Sequence, residues 1–268
     1  MGALSYTPPP SVVVGLGGLL LVYWLSVGPY RDRFARAAPV AVGRRVAFVG
    51  GVALMLLALA TPLDTLGDSY LFTAHMLQHL LLTLGAAPLL LAGTPDWLMR
   101  DVLKITHLTD FVRWARHPLV AFGTFNLVFA LAHIPSFYEL TLSNEPLHAA
   151  EHLVFVATAM LMWMPILSPV PDIAAPFPAL GQVLYLFLQT VPASLLGALL
   201  SATSSAYYPT YILAPRVTAL SPVEDQQLGG LIMWVGSGLY FLIATAVVFF
   251  AWASREEAIN RRPGVARP

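Results

Sequence analysis

Residues 72–92 read FTAHMLQHLLLTLGAAPLLLA, a run of 21 residues without Asp, Glu, Lys or Arg. A helix needs about 20 predominantly apolar residues to cross the hydrocarbon core of a bilayer, so this run is long enough to span a membrane. Similar runs recur along the chain, and the full set is 11–27, 46–62, 72–92, 118–134, 147–166, 179–200 and 228–252. Lipid offers the backbone no hydrogen-bond partner, and these runs are too long and too uniformly apolar for barrel strands, which leaves helices. The sequence therefore predicts an all-α, polytopic membrane bundle of seven transmembrane helices, and we expect residues 1–268 to form a single membrane domain.

The composition also points to a membrane protein. Of 268 residues, 57% are hydrophobic and only 10% are charged, which is far from the composition of soluble globular domains. The first apolar run has no Lys or Arg before it and no small-residue cleavage site after it, so we expect a retained helix rather than a secretory signal. The formal net charge is zero, and no nucleic-acid partner is expected.

The basic residues are concentrated in three segments, which follow the first, third and seventh runs. They are Arg31, Arg33, Arg36, Arg44 and Arg45; Arg100, Lys104, Arg113 and Arg116; and Arg255, Arg261, Arg262 and Arg267. If the N-terminus lies outside, all three segments are cytoplasmic and hold 13 of the 14 basic residues, leaving only Arg216 outside. The positive-inside rule thus predicts an outside N-terminus and a cytoplasmic C-terminus.

The segments predicted to lie outside are acidic instead. They carry Asp64, Asp68, Glu139, Glu145, Glu224 and Asp225. Negative charge on one surface attracts cations through its long-range field.

Five of the seven histidines fall at the ends of predicted helices on this same outer side. They are His75, His79, His133, His148 and His152. Two pairs have i, i+4 spacing, which puts both rings on one helix face, one turn apart. Ionisable groups in or near hydrocarbon usually face a bundle interior and mark functional sites. We therefore expect a metal site, although each histidine alone could simply be an interfacial residue.

The neighbouring residues indicate which metal this site would take. Met76 could add a thioether ligand, and Glu151 lies on the face of His148, where it could accept a hydrogen bond from an imidazole. The chain has no cysteine, so its ligands must be imidazole, carboxylate, thioether or water. Imidazole suits zinc, copper, iron and nickel, and an added methionine favours Cu(I).

Three other functions fit parts of this pattern. Residues 148–152 read HAAEH and match H-x-x-E-H, the reversed zinc-protease motif, for which Glu224 could be a third ligand. The cluster could also be the outer gate of a copper or proton transporter continued by Asn126, Gln189 and the methionines Met160, Met162 and Met164, although no ionisable residue lies in the middle of a predicted helix. Histidines from different helices could instead bind haem.

Several further features have more ordinary explanations. His107 and His117 fall in a predicted cytoplasmic loop, away from the cluster. Small residues, among them Gly197, Ser201 and Gly230, favour close helix packing. The long connection 201–227 contains the sequence YYPTY at 207–211, which could be a lid or an aromatic segment at the membrane interface. Glu224 and Asp225 could cap the seventh helix.

A family resemblance follows from several ordered blocks of sequence. These are His75-Met76-Leu77-Gln78-His79 with Pro88-Leu89, His117-Pro118, His133-Ile134-Pro135 with Tyr138, Leu147-His148 through Glu151-His152, Trp163-Met164-Pro165, and Asp225 through Gly229-Gly230 with Met233-Trp234. In this order they resemble the multispan cytochrome c oxidase assembly factors called CtaG, which are associated with caa-type oxidases. The resemblance covers roughly residues 70–252.

The resemblance implies a non-enzymatic, multi-pass protein of the bacterial plasma membrane that matures a haem-copper oxidase. It implies copper supplied to the dinuclear copper centre of oxidase subunit II. An unrelated single-span copper chaperone shares the CtaG name but uses cysteines, which this chain lacks. Copper is therefore the expected metal, with zinc and haem as alternatives, and the expected ligands are His75, His79, His133, His148 and His152 with Met76 and Glu151.

Overall fold

The computed structural model describes residues 6–34 and 37–261, and the regular structure within them is helical. Three of the basic residues used to predict orientation, Arg36, Arg262 and Arg267, lie outside the described residues. The helices are α1 (Pro10–Val27), α2 (Val42–Leu59), α3 (Pro62–Ser69), α4 (Phe72–Gly93), α5 (Asp96–Ile105), α6 (Thr109–Ala115), α7 (Pro118–Ala132), α8 (Pro135–Leu142), α9 (Glu145–Leu167), α10 (Ala179–Ala202), α11 (Pro209–Leu213) and α12 (Pro222–Ile259).

Six of these helices are long and apolar enough to cross a membrane, so the chain is a multi-pass membrane protein. They are α1, α2, α4, α9, α10 and α12. The fourth predicted run differs from the expectation, because α7 ends at Ala132 and the chain bends by 78° into α8. The bend lies at His133-Ile134-Pro135, where proline disfavours a helical conformation at the preceding residue. The pair α7 and α8 counts as a seventh span only if the two are taken together.

Other helix boundaries also differ from the predicted ones. The second run forms a helix over Val42–Leu59 rather than 46–62, because Thr61 caps a new helix, α3, by accepting a hydrogen bond from the Leu63 backbone. The last helix begins at Pro222, six residues before the predicted start at 228. A capping box between Ser221 and Glu224 fixes that start, and such boxes stabilise polar helix ends that an apolar scan omits.

Two of the long helices contain a π-helical segment. In α4 it covers Leu81–Ala86, directly after His79, and in α12 it covers Ile232–Gly236. The Thr83 carbonyl in the first segment accepts a hydrogen bond from the Trp163 indole at 3.1 Å, so α9 satisfies a carbonyl that the irregular turn exposes. Single π segments often mark functional positions in helices.

Contacts between helix ends divide the bundle into two ends. At the one we call the histidine end, Gln78 near the start of α4 donates to the Ala58 carbonyl at the end of α2. There too, Ser201 at the end of α10 donates to the Gln227 carbonyl near the start of α12.

At the opposite end, which we call the basic end, Tyr23 of α1 donates to the Gly93 carbonyl and Arg44 of α2 donates to the Thr94 carbonyl. Arg100 forms an ion pair there with Asp172, in the connection after α9. Helices α2 and α10 thus end at the histidine end, where α4 and α12 begin, so the long helices run in both directions between an end that carries histidines and an end that carries arginines.

Close packing of α10 against α12 depends on small residues, as the sequence predicts. A Cβ atom on Gly197 would lie 2.6 Å from the Gly230 carbonyl oxygen and 2.7 Å from the Trp234 backbone nitrogen. On the neighbouring side of the bundle, the Asn126 amide donates to the Gln189 side chain at 2.9 Å and joins α7 to α10. Both are ordinary ways to hold membrane helices together.

Gly197→Ala should therefore destabilise the folded protein by about 1–3 kcal/mol, because backbone atoms of α12 block the added methyl group. Gly123→Ala is the matched control, since a Cβ atom there meets nothing within 4 Å. Thermal unfolding of both variants in the same detergent measures the effect. An unchanged melting temperature for Gly197→Ala would contradict the close approach of these helices.

Candidate metal centre

The start of α4 is held by a carboxylate from another helix. Asp225 of α12 is fully buried and accepts hydrogen bonds from the backbone of Phe72 at 2.7 Å and of Thr73 at 3.1 Å. The sequence suggested a cap on its own helix for Asp225, but its carboxylate instead satisfies the free N–H groups of α4. This contact fixes the first turn of α4, which is followed directly by His75, Met76 and His79.

The α9 histidines are positioned by an N-cap. Asn144 accepts a hydrogen bond from the Leu147 backbone at 3.1 Å, and Pro146 occupies the first turn, where its missing N–H is harmless. His148, Glu151 and His152 then point into the bundle, and each is less than 9% exposed.

Four histidines meet between α4 and α9. Within each helix the ring centroids lie 4.3 Å apart for His75 and His79 and 4.4 Å apart for His148 and His152. Between the helices the distances are 5.4 Å from His75 to His148 and 5.5 Å from His79 to His152. The rings therefore form two layers, one helical turn apart.

Asp68 lies beside the layer formed by His75 and His148. Its Oδ1 lies 3.6 Å from His75 Nδ1, and its Oδ2 lies 3.5 Å from His148 Nδ1. One ligand atom from each of the three residues lies within 4.8 Å of the others, a spacing that could hold a metal ion. The Asp68 side chain is 28% exposed, so it lies between the buried imidazoles and the surface.

The sequence analysis placed Asp68 on the acidic surface but did not include it among the ligands. The reason is α3, a helix that the apolar runs did not predict. Gly67 in α3 packs so closely on α4 that a Cβ atom there would lie 3.0 Å from His75 Cα. The sequence does contain one signal for this contact. Asp68 follows a glycine, and only the helix break at Tyr70-Leu71 separates it from the helix that carries His75 and His79.

His133 is held by a different pair of contacts. Its Nδ1 donates to the Phe129 carbonyl at 2.7 Å, and its Nε2 lies 3.4 Å from the sulfur of Met76. His133 is 5% exposed and Met76 is 1% exposed. All five predicted histidines are thus buried at one end of the bundle, but His133 faces Met76 rather than the Asp68 carboxylate.

Many polar atoms of this region are buried without a hydrogen-bond partner. They are Oδ1 of Asp68, both ring nitrogens of His75 and His79, Nε2 of His148 and His152, and both carboxylate oxygens of Glu151. Leaving one buried polar group unsatisfied costs about 1–3 kcal/mol, so a set of this size indicates that a polar ligand such as a metal ion, or water, binds among these atoms. Glu151 lies in the region but makes no hydrogen bond to an imidazole there.

A cover of aromatic residues closes the histidine end. Tyr208 and Tyr211, from the long connection before α12, are each 2% exposed and pack with Phe72 and Tyr138. Tyr208 donates to the His133 carbonyl at 3.0 Å, and Tyr211 donates to the Gly67 carbonyl at 2.7 Å. Of the two roles considered for this segment, the burial of these tyrosines favours the lid, and only Tyr207 is substantially exposed.

The other candidate residues are placed elsewhere. Glu224 accepts a hydrogen bond from the Ser221 backbone in the capping box. Its carboxylate therefore caps its own helix and does not act as the third zinc ligand of the reversed protease motif. His107 and His117 are exposed, in line with the predicted loop. Met162 and Met164 belong to the apolar core, with Met160 packed beside them, and packing accounts for all three.

A comparison with known proteins identifies the family of the chain. The model of the cytochrome c oxidase caa3 assembly factor family matches residues 21–255, which include every residue of the histidine end named above. The chain belongs to this family. The chain is also 22% identical to two uncharacterized proteins, one from Mycobacterium bovis and one from Mycobacterium tuberculosis. Each alignment covers 93% of this chain but only 40% of the relative, so the chain spans less than half the length of these relatives. No solved structure matches the chain significantly.

Tyr211→Phe should lower the stability of the protein by about 1–3 kcal/mol, because it leaves the Gly67 carbonyl and the Tyr138 hydroxyl without their partner. Tyr240→Phe is the control, since Tyr240 is 36% exposed and has no side-chain hydrogen bond among the described residues. Equal melting temperatures for the two variants would mean that the lid is not held by this hydroxyl.

Asp64 provides a test by pH. Burial and the negative charge of Asp68 raise the pKa of Asp64 to about 7, although Gln78 donates to its carboxylate. Because this folded-state pKa lies above the unfolded value of about 3.9, the contribution of Asp64 to stability falls as the pH rises from about 4 to about 7. Asp64→Asn removes this titration, so its melting temperature minus that of the wild type should increase over this range. The exposed Asp32→Asn is the control, and a constant difference for Asp64→Asn would contradict the raised pKa.

Proposed function

We propose that this oxidase assembly factor binds copper at the histidine end and supplies it to the dinuclear copper centre of oxidase subunit II. The observation that carries the proposal is the group of four buried imidazoles between α4 and α9, with nitrogens that lack hydrogen-bond partners and a carboxylate at their surface side. Imidazole, carboxylate and thioether together suit copper.

The proposal places the histidine end outside the cell. Seven passes with an outside N-terminus put 13 of 14 basic residues on the cytoplasmic side of a bacterial plasma membrane. This count of seven includes α7, which would be the fourth pass along the chain. Two contacts support a membrane-crossing path for α7. Its first residues line a cleft with Pro165 and Phe177 at the basic end, and His133 after its last residue contacts Met76 at the histidine end. In this orientation the ligands face the side on which the copper centre of an oxidase would receive metal.

The packing of the rings supports binding of metal ions rather than haem. The four imidazoles of α4 and α9 lie 4.3–5.5 Å from their neighbours, and His75 and His148 stack on each other with an interplanar angle of 11°. A porphyrin held between two axial histidines needs the space that these rings occupy. The role is delivery and not catalysis, and the expected partner is the oxidase subunit that accepts the ion.

His75→Ala and His148→Ala should each substantially reduce the copper content of the purified protein and abolish maturation of the oxidase without preventing membrane insertion, because each removes an imidazole that faces the Asp68 carboxylate. His117→Ala is the control, because it changes an exposed histidine at the basic end. Copper is measured by elemental analysis, and maturation by oxidase activity in cells that carry each variant as the only copy. Normal oxidase maturation in both ligand variants would contradict the proposal.

A further inference from the structure

The histidine end contains two ligand sets of different chemistry. The first combines a carboxylate with two imidazoles, Asp68 with His75 and His148. The second combines a thioether with one imidazole, Met76 with His133. Carboxylate and imidazole suit divalent ions of intermediate softness, whereas a thioether selects Cu(I).

The two sets point in different directions from α4. His75 and Met76 are consecutive residues, and consecutive side chains on an α-helix are about 100° apart around its axis. His75 therefore faces α9, where it meets His148 and Asp68, while Met76 faces the end of α7, where it meets His133. One ion cannot be shared by both sets without a rearrangement of α4.

The Met76 and His133 contact is not an ordinary hydrogen bond. The Phe129 carbonyl can only accept, so His133 Nδ1 must carry the proton. In the neutral ring Nε2 then has a lone pair, and it faces another lone-pair donor, the sulfur of Met76, at 3.4 Å. Two electron-pair donors held at this distance in an apolar environment are stabilised by a cation between them.

The distance between the two donor atoms fits coordination. With metal–nitrogen and metal–sulfur bonds of about 2.0 and 2.3 Å, a separation of 3.4 Å corresponds to an angle of about 100° at the ion. In the other set, each Asp68 oxygen faces one imidazole nitrogen, at 3.6 Å for His75 and 3.5 Å for His148. With metal–oxygen and metal–nitrogen bonds of about 2.0 Å, these separations correspond to an angle of roughly 120° at the ion. Both angles fall in the range of tetrahedral and trigonal coordination.

The two sets also differ in access. The Asp68 side chain is 28% exposed, whereas Met76 is 1% exposed and His133 is 5% exposed. Tyr208 further covers the second set by its hydrogen bond to the His133 carbonyl. An ion from solution reaches the carboxylate first.

We propose that the histidine end holds two separate metal sites, an accessible site for divalent copper or zinc at Asp68, His75 and His148, and a buried Cu(I) site at Met76 and His133. This inference rests on the proposed function, since it assumes that copper binds at the histidine end. It adds that the two oxidation states bind at different residues of the same bundle end.

The test compares Asp68→Asn and Met76→Leu with two matched controls. Asp64→Asn changes a neighbouring acidic residue, and Met233→Leu changes a methionine of the same buried aromatic cluster as Met76. Affinity for Cu(I) is measured anaerobically by competition with a chromophoric chelator, and affinity for Cu(II) by the same method under air. X-ray absorption at the copper edge reports sulfur bound to Cu(I), and melting temperatures show whether each variant folds.

We expect Met76→Leu to weaken Cu(I) binding about tenfold or more, to remove the copper–sulfur signal and to leave Cu(II) affinity within about twofold. We expect the opposite selectivity for Asp68→Asn, and neither effect for the controls. If the wild type binds copper but both variants weaken both oxidation states equally, the two sets form one site, and if neither variant weakens either oxidation state, neither set binds copper. In both cases this inference is wrong, while copper binding by the protein stands. If the wild type binds neither oxidation state, the proposed function itself is wrong.

Discussion

The first turn of α4 is fixed by one buried carboxylate. Asp225 on α12 accepts hydrogen bonds from the Phe72 and Thr73 backbone, and the Thr73 hydroxyl donates back to the Asp225 carbonyl at 2.9 Å. Just beyond it, Gly229 lies so close to Phe72 that a Cβ atom would be 2.5 Å from the ring. These contacts set both the height and the rotation of α4 relative to α12. The positions of His75, Met76 and His79 follow from them, because a helix transmits the placement of its first turn along its length.

The rest of the histidine end depends on this placement. With α4 in position, Gly67 of α3 packs on His75 and brings Asp68 beside the imidazoles. Tyr211 then binds the Gly67 carbonyl, and Glu139 of α8 holds the lid helix α11 through the backbone and hydroxyl of Thr210. Three residues of the predicted acidic surface are thus structural. Asp225, Glu139 and Glu224 bind backbone groups, while Asp68 remains beside the histidines.

The sequence predicted what depends on periodicity and length. The apolar runs identified the long helices, and the i, i+4 spacing placed each histidine pair on one face. It did not predict α3 or α8, because both are short and rich in polar residues, and their positions are decided by contacts with other helices. Asp68 was not recognised as a neighbour of the histidines for the same reason. The cap formed by Asp225 on α4 joins residues more than 150 positions apart in sequence, and local patterns carry no signal for such a contact.

The π segment at Leu81–Ala86 separates α4 into two parts with independent registers. A π turn takes up more residues than an α turn. Residues 72–80, before the π segment, are therefore rotated about the helix axis relative to their position in an uninterrupted helix. Residues 72–80 can present histidines to α9 and a methionine to α7, while residues 87–93 present leucines to α2 and α9. The rotation that suits ligand binding therefore need not be the rotation that suits apolar packing. The Trp163 indole, which donates to the Thr83 carbonyl, satisfies one backbone group inside the π segment that separates the two parts.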